Sequence, residues 1–183
     1  QRPRPGAFRP SDAEQFWARL ARPLLRQGVT PCYLFSSEPI AEALTRLDEA
    51  FAGIPVTHWL SVKTQPLPQL LGWWLAQGRP IEVVSELEFQ LALQMGCPAH
   101  RLLVNGPAKH RWLHRHPRPG LNVNFGSVAE VSALGSLASR CGWRIGVRLN
   151  TRCEFDTDAP DFATQFGMTE SELSKALPLL KRK

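Results

Sequence analysis

What most limits the fold of this chain is a rhythm. Short runs rich in β-branched and apolar residues begin near Thr57 (THWLSV), Ile81 (IEVVS), Arg101 (RLLVN), Leu121 (LNVNF) and Arg144 (RIGVRLN), at intervals of 24, 20, 20 and 23 residues. The gaps hold PLPQLLGWWLAQG, ELEFQLALQMG and VAEVSALGSLASRCG, each with an apolar stripe at helical spacing and then a glycine where a helix stops. Strands that alternate with helices over such short connections run parallel, with right-handed crossovers. The expected class is α/β. Two architectures share this pattern, the doubly wound open sheet and the β/α barrel. A dinucleotide-binding sheet usually carries G-x-G-x-x-G after its first strand, and none of these turns has it, which favours the barrel.

Upstream of the rhythm, SDAEQFWARLARPLLRQG reads as a helix capped at Ser11 or Asp12, with Phe16, Leu20 and Leu24 in register and Gly28 at its end. PCYLFSS reads as a short β segment, and EPIAEALTRLDEAFAG as a helix with Ile40, Leu44 and Leu47 on one face and Gly53 as its stop. Downstream, a sixth strand is expected around QFGM. The tail TESELSKALPLLKRK then opens with a capping-box pattern, Thr169 to Glu172, and places Leu173, Leu177 and Leu180 on one face, with Pro178 expected to kink or shorten the helix. Residues 1–10, QRPRPGAFRP, are basic and proline-rich with no apolar stretch behind them, so they read as a flexible arm ahead of one domain over 11–183. The first residue is Gln rather than Met, which points to a start that was removed or not included.

A chain of 183 residues with 43% hydrophobic content suffices for one core, and no apolar run approaches the roughly 20 residues of a membrane span. The net charge of +6 favours anionic partners, and AKHRWLHRHPRP concentrates Lys, Arg, His and Trp as a nucleic-acid binder would. Much of the remaining excess sits at the ends (Arg2, Arg4, Arg9 and Lys181, Arg182, Lys183), where charge is usually just solvated, so nucleic-acid binding is the lesser reading. Cys32, Cys97, Cys141 and Cys153 form no C-x-x-C pair and suit neither a zinc site nor a disulfide framework. Most of them read as small core residues in a reducing, cytoplasmic setting. His114 and His116, two apart, would face different ways on a helix; they read as surface residues, and no metal is expected.

The strand ends are polar: Lys63 and Thr64, Ser85 and Glu86, Asn105, Asn124 and Ser127, and Asn150. In a parallel barrel such ends converge on one mouth, where active sites are built. Loops are also polar simply because they are wet, and for each of these positions taken alone that is the better reading. Lys63 differs. It follows the apolar run HWLSV, so its stem starts in the core layer. Desolvation there would lower its pKa and free an amine able to form a Schiff base. The competing reading is a lysine whose stem packs while its charge reaches water.

WLSVKTQPLPQLL, EVVSELEFQLALQMG, RLLVNGPAK, GLNVNFGSVAEV, RIGVRLN and QFGM, in this order, resemble the successive strand and helix units of the fold-type III pyridoxal-phosphate enzymes, with the diaminopimelate and ornithine decarboxylases nearest. The resemblance runs from about Thr30 to Leu173. It implies the first five or six strands of an eight-stranded β/α barrel of the alanine racemase N-terminal type, with pyridoxal 5'-phosphate as cofactor and an amino acid as substrate. Lys63 resembles the lysine that holds the cofactor. Glu82 stands where the family usually has Asp near that lysine, and Arg148 matches an arginine beside the cofactor ring. Ser85, Asn105 and Lys109 fall on strand ends that line the site.

The ring-stacking histidine, the glycine-rich phosphate loop and the acid for the pyridine nitrogen belong to later strands of that family and are not found in this sequence. The expectation is therefore the front portion of a longer, homodimeric decarboxylase, with little or no catalysis by itself. Without the resemblance, Glu82 reads equally as a surface acid paired with an arginine, Arg148 as the neutraliser of a carboxylate, and Asn105 as a turn cap. The competing functions are a non-catalytic pyridoxal-phosphate homeostasis barrel and, behind it, the nucleic-acid binder.

Overall fold

In a computed structural model describing residues 11–150 and 166–181, five parallel strands, β1 (Leu60–Ser61), β2 (Ile81–Val83), β3 (Leu102–Val104), β4 (Asn122–Phe125) and β5 (Arg144–Val147), lie side by side in the order in which the chain makes them. That order decides between the two architectures. A doubly wound sheet reverses its strand order at a switch point, whereas a barrel wall adds each strand beside the last. Register follows the order: Ser61 is paired with Glu82, Glu82 with Leu103, Leu103 with Asn122, and Asn124 with Gly146.

The helices between the strands are α3 (Pro68–Ala76), α4 (Glu86–Gln94) and α5 (Val128–Arg140). Side chains alternate across a strand with period two. Ile81, Val83, Leu102, Val104, Val123 and Phe125 are all fully buried. The helices supply Leu71 and Trp74, Phe89 and Ala92, and Val131, Leu134 and Ala138 to the same core. Between the buried positions, Glu82, Leu103, Asn122 and Asn124 are half-buried on the opposite face. One face of the sheet is thus the hydrophobic core, and the other is largely polar.

Glycine ends the helices as expected. Gly96 (φ +74°) and Gly142 (φ +59°) adopt the left-handed conformation that lets the Cys97 and Trp143 N–H groups donate back to the Ala92 and Ala138 carbonyls, at 3.0 and 2.9 Å. The strands are shorter than the runs that announced them. In THWLSV only Leu60 and Ser61 pair, because Val62–Thr64 tightens into a 3₁₀ turn.

The sixth strand amounts to a single parallel bridge between Leu149 and Met168, with Asn150 donating to the Met168 carbonyl at 2.8 Å and Met168 to that of Arg148 at 2.7 Å. After it, α6 (Glu170–Lys181) starts at the expected capping box: the Glu172 carboxylate accepts from the Thr169 N–H at 2.9 Å, and the Glu172 N–H donates to the Thr169 hydroxyl. Pro178 lies inside the helix, which continues to Lys181. One expectation for this helix is corrected. The residue it buries is Ala176, while Leu177 is exposed, because 3.6 residues per turn brings position 176 under the core.

Contacts divide the chain into two units, Gln1–Ile54 and Pro55–Lys183. The first unit holds α1 (Asp12–Arg26) and α2 (Glu38–Ala50). Ser11 is the N-cap of α1, in a full capping box with Glu14. The expected β segment PCYLFSS is irregular backbone, with Tyr33 95% and Phe35 53% exposed. A strand needs a ladder to satisfy its N–H and C=O groups, and no strand is described in this unit. On α2 Leu44 is buried but Leu47 is exposed.

The cysteines divide too. Cys97 is buried and its thiol is pushed up to about 11 by loss of solvent, as an inert core residue should be. Cys141 is half-buried, Cys32 is exposed, and Cys153 lies outside the described residues. No described helix is long and apolar enough to cross a membrane.

Candidate active site

The C-terminal ends of β1 to β5 and the polar face leading to them gather most of the residues singled out in the sequence. Lys63 stands two residues beyond Ser61, in the 3₁₀ turn that follows β1, whose neighbour β2 carries Glu82. Val62, beside it, is fully buried in the helix-side core, while Lys63 is exposed. This corrects the desolvation argument: among the described residues Lys63 is exposed. The Ser61 hydroxyl, at the end of β1, is buried and has no hydrogen-bond partner among the described residues.

Glu82, Asn105 and Asn124 form a chain across three neighbouring strands. The Asn105 side-chain amide donates through Nδ2 to Glu82 Oε1, and Asn124 Nδ2 donates to Asn105 Oδ1 at 3.2 Å. Asn105 is held by the ladder as well, its N–H donating to the Val83 carbonyl at 2.9 Å. Glu82 is therefore not a surface acid paired with an arginine, and Asn105 does more than cap a turn. Beyond Asn124 lies Gly146, where a Cβ would come within 2.1 Å of Asn124 Oδ1. Only the absence of a side chain leaves room for the amide.

The loop after β3 is pinned from two sides. A Cβ on Gly106 would stand 1.7 Å from the Val84 carbonyl oxygen, so the loop lies directly against the β2 to α4 connection. Ala108 takes the left-handed conformation at φ 55°. Lys109 is buried. Its Nζ pairs with Glu130 Oε2 at 2.8 Å and donates to the Gly106 carbonyl.

Glu130 Oε1 accepts the Lys109 N–H at 3.0 Å, and Oε2 accepts the Gly126 N–H at 2.9 Å. Burial pushes the Lys109 amine below its ordinary pKa, against the pull of Glu130. Sequence reasoning missed Glu130. The signal was present in the S-x-x-E spacing of Ser127 and Glu130, which repeats at Ser85 and Glu88; in both, the serine hydroxyl accepts the glutamate N–H. The Ser85 hydroxyl is the N-cap of α4.

Arg148 is exposed just after β5, its guanidinium 4.6 Å from the Phe166 ring centroid. A cavity of about 310 Å³ opens at the ends of β3, β4 and β5, with Asn105, Lys109, Ser127, Arg148, Phe166 and Glu172 in its lining. Arg148 and Asn105 thus share one cavity, while Lys63 and Glu82 lie toward the other edge of the same strand ends.

The basic stretch after Lys109 is largely used by the fold. Trp112 is buried, Arg115 pairs with Glu86, and His116 Nε2 is 2.8 Å from Glu86 Oε1 with its ring 5.3 Å from that of Phe89. His116 is therefore a packed residue, whereas His114 is exposed as expected. Among the described residues no three His, Cys, Asp or Glu side chains cluster as a metal site.

Residues 37–183 match the family described as pyridoxal-dependent decarboxylase, pyridoxal binding domain. The diaminopimelate decarboxylase of Zymomonas mobilis is 27% identical over 135 residues, 69% of this chain and 31% of that protein. That of Deinococcus radiodurans is 35% identical over 80 residues, 44% of this chain and 21% of that protein. The chain thus spans less than a third of the length of these curated relatives.

Among solved structures, the diaminopimelate decarboxylase of M. jannaschii in co-complex with L-lysine superposes with a TM-score of 0.69 at 20% identity, over 88% of this chain and 41% of that one. The arginine decarboxylase of Paramecium bursaria Chlorella virus gives 0.71 at 18% identity, over 90% and 44%. At such identities the likeness speaks for the fold.

Proposed function

The chain belongs to the pyridoxal-dependent decarboxylase family, through its pyridoxal binding domain, and from this we propose that it is the front portion of a pyridoxal-phosphate-dependent amino-acid decarboxylase in which Lys63 holds the cofactor as a Schiff base. The observation that carries the proposal is the position of Lys63 at the end of β1, beside the strand of Glu82 and at the edge of an uncovered polar face. The residues present fit the cofactor. An amine able to condense with an aldehyde, a neighbouring carboxylate, an orphaned Ser61 hydroxyl and an exposed Arg148 offer polar partners to a flat, anionic ring compound.

When bound, pyridoxal phosphate supplies an electron sink that accepts the pair left on the substrate carbon as carbon dioxide departs. The protein residues do the rest. Lys63 anchors and releases. Glu82, fixed by Asn105, presents its carboxylate on the strand beside the one that leads to Lys63. Arg148 places positive charge on the cavity side that it shares with Asn105. Ser85 is kept here as a backbone support that starts α4 beside the site, not as a direct contact.

The same proposal takes residues 11–183 as part of one cofactor-binding barrel domain, supported by a family match that runs from residue 37 through 183. It takes an amino acid related to lysine as substrate, supported by the relatives named diaminopimelate decarboxylase and by the L-lysine complex of the M. jannaschii enzyme. It takes the chain alone to have little or no activity and the longer protein to be a homodimer. The test is absorbance: pyridoxal phosphate added to the protein should give a visible Schiff-base band that is absent in Lys63→Ala. A band of equal size in Lys63→Ala removes the proposal. In the longer protein, carbon dioxide release from diaminopimelate, ornithine, lysine or arginine is expected, and binding without any release would mark a homeostasis-type barrel instead.

A further inference from the structure

We infer that Asn124 is a positioning residue of this site, acting on the Glu82 carboxylate through Asn105, with Gly146 providing the space that its amide requires. The inference rests on the proposed role of Glu82 beside Lys63 and adds two residues to it. An asparagine side chain has a donating end and an accepting end, and which end faces which neighbour is set by the network around it. Asn124 donates to Asn105 Oδ1, which commits the accepting end of Asn105 toward β4 and turns its NH₂ toward Glu82. A carboxylate accepts only, so the polarity of the chain matches an ionised Glu82.

Reversing Asn105 would set its oxygen against that carboxylate. Asn124 is itself confined, because Gly146 is its register partner on β5 and any Cβ there would fall 2.1 Å from its oxygen. Four neighbouring positions on four strands thus define the direction of one charge.

Asn124→Asp is nearly isosteric and reverses the logic. An aspartate at this position can only accept, so Asn105 must turn its NH₂ toward it and present its oxygen to Glu82, whose carboxylate then swings away. The relay can be read without cofactor from the Glu82 carboxyl carbon resonance at neutral pH, in the wild-type chain, Asn124→Asp, Asn105→Leu and the double variant. The expected result is that Asn124→Asp and Asn105→Leu each move the resonance, and that Asn124→Asp adds nothing once leucine occupies position 105.

Affinity for pyridoxal phosphate, followed by the Schiff-base band, should fall about tenfold in the same variants, the scale of one charge-assisted hydrogen bond. A Glu82 resonance unmoved by Asn124→Asp, or moved equally by it in the Asn105→Leu background, overturns the inference. If circular dichroism shows that Asn124→Asp does not fold, Gly146→Ala, which pushes the same amide from the far side, must move the Glu82 resonance or the inference fails. Failure of the site itself looks different: the resonance cycle would hold while Glu82→Gln left the Schiff-base band and its affinity unchanged.

Discussion

Replacing Lys109 by Met should destabilise the Pro55–Lys183 unit by about 3–5 kcal/mol, the usual cost of removing one partner from a buried ion pair. The size follows from what remains. Lys109 and Glu130 side chains are 1% and 2% exposed, so a Met of similar length fills the space but leaves the Glu130 charge without its cation. Two backbone donors, the N–H groups of Lys109 and Gly126, still reach the carboxylate, which is why the loss is not larger.

Changing Glu130 to Gln in the same background removes the charge and keeps an oxygen for one of those donors. About 1–2 kcal/mol should return, an amount set by one buried hydrogen bond. Urea unfolding followed by tryptophan fluorescence suits the question, because Trp112 is buried three residues from Lys109. A Lys109→Met stability within about 1 kcal/mol of wild type, or a double variant no better than Lys109→Met, would refute the view that this pair clamps the loop after β3.

Gly106→Ala should prevent stable folding or cost at least about 3 kcal/mol, because the clash is with backbone that cannot rotate away; a soluble variant with wild-type melting would contradict this. Phe89→Ala, which empties a fully buried site against Trp112 and His116, should cost about 3–5 kcal/mol by denaturant unfolding, and a loss under about 1 kcal/mol would mean the site collapses freely. Glu86 has its pKa lowered chiefly by the hydrogen bond from His116 and also by Arg115, so its stabilisation is complete above the unfolded value of 4.5 and disappears as pH falls through the lower folded one. The melting temperature of Glu86→Gln should therefore lie below wild type at neutral pH and converge with it in acid; a constant gap would contradict the assignment.

The alternation of strand and helix was legible because burial on one face leaves a periodic trace. The runs IEVVS and RLLVN read as strands, and they hold β2 and β3, with Ile81, Val83, Leu102 and Val104 fully buried. The barrel-like order was legible only as a preference, since periodicity says nothing of which strand lies beside which until the register is seen. PCYLFSS misled for a physical reason: β-propensity describes a residue's fit to a pleated surface, and here no neighbouring strand supplies one among the described residues.

At the site, Lys63 and Asn105 were found by their place after apolar runs, and Glu82 only through the family resemblance. Asn124 was seen as a strand-end polar residue without a task, and Gly146 passed unnoticed because a glycine's reason lies in what it faces. The exposure of Lys63 was misjudged because a strand-end position predicts a stem in the core but not what closes over the amine. Glu130 was hidden in a helix cap, where one carboxylate serves the helix start and a lysine 21 residues away.

The most direct test of the cofactor role is chemical trapping. The sequence contains five lysines, at 63, 109, 175, 181 and 183, of which Lys109 is buried and paired. Borohydride reduction of the protein with stoichiometric pyridoxal phosphate, followed by peptide mass spectrometry, should place the pyridoxyl group on Lys63. Label spread evenly over Lys175, Lys181 and Lys183, with Lys63 unmodified, would contradict it.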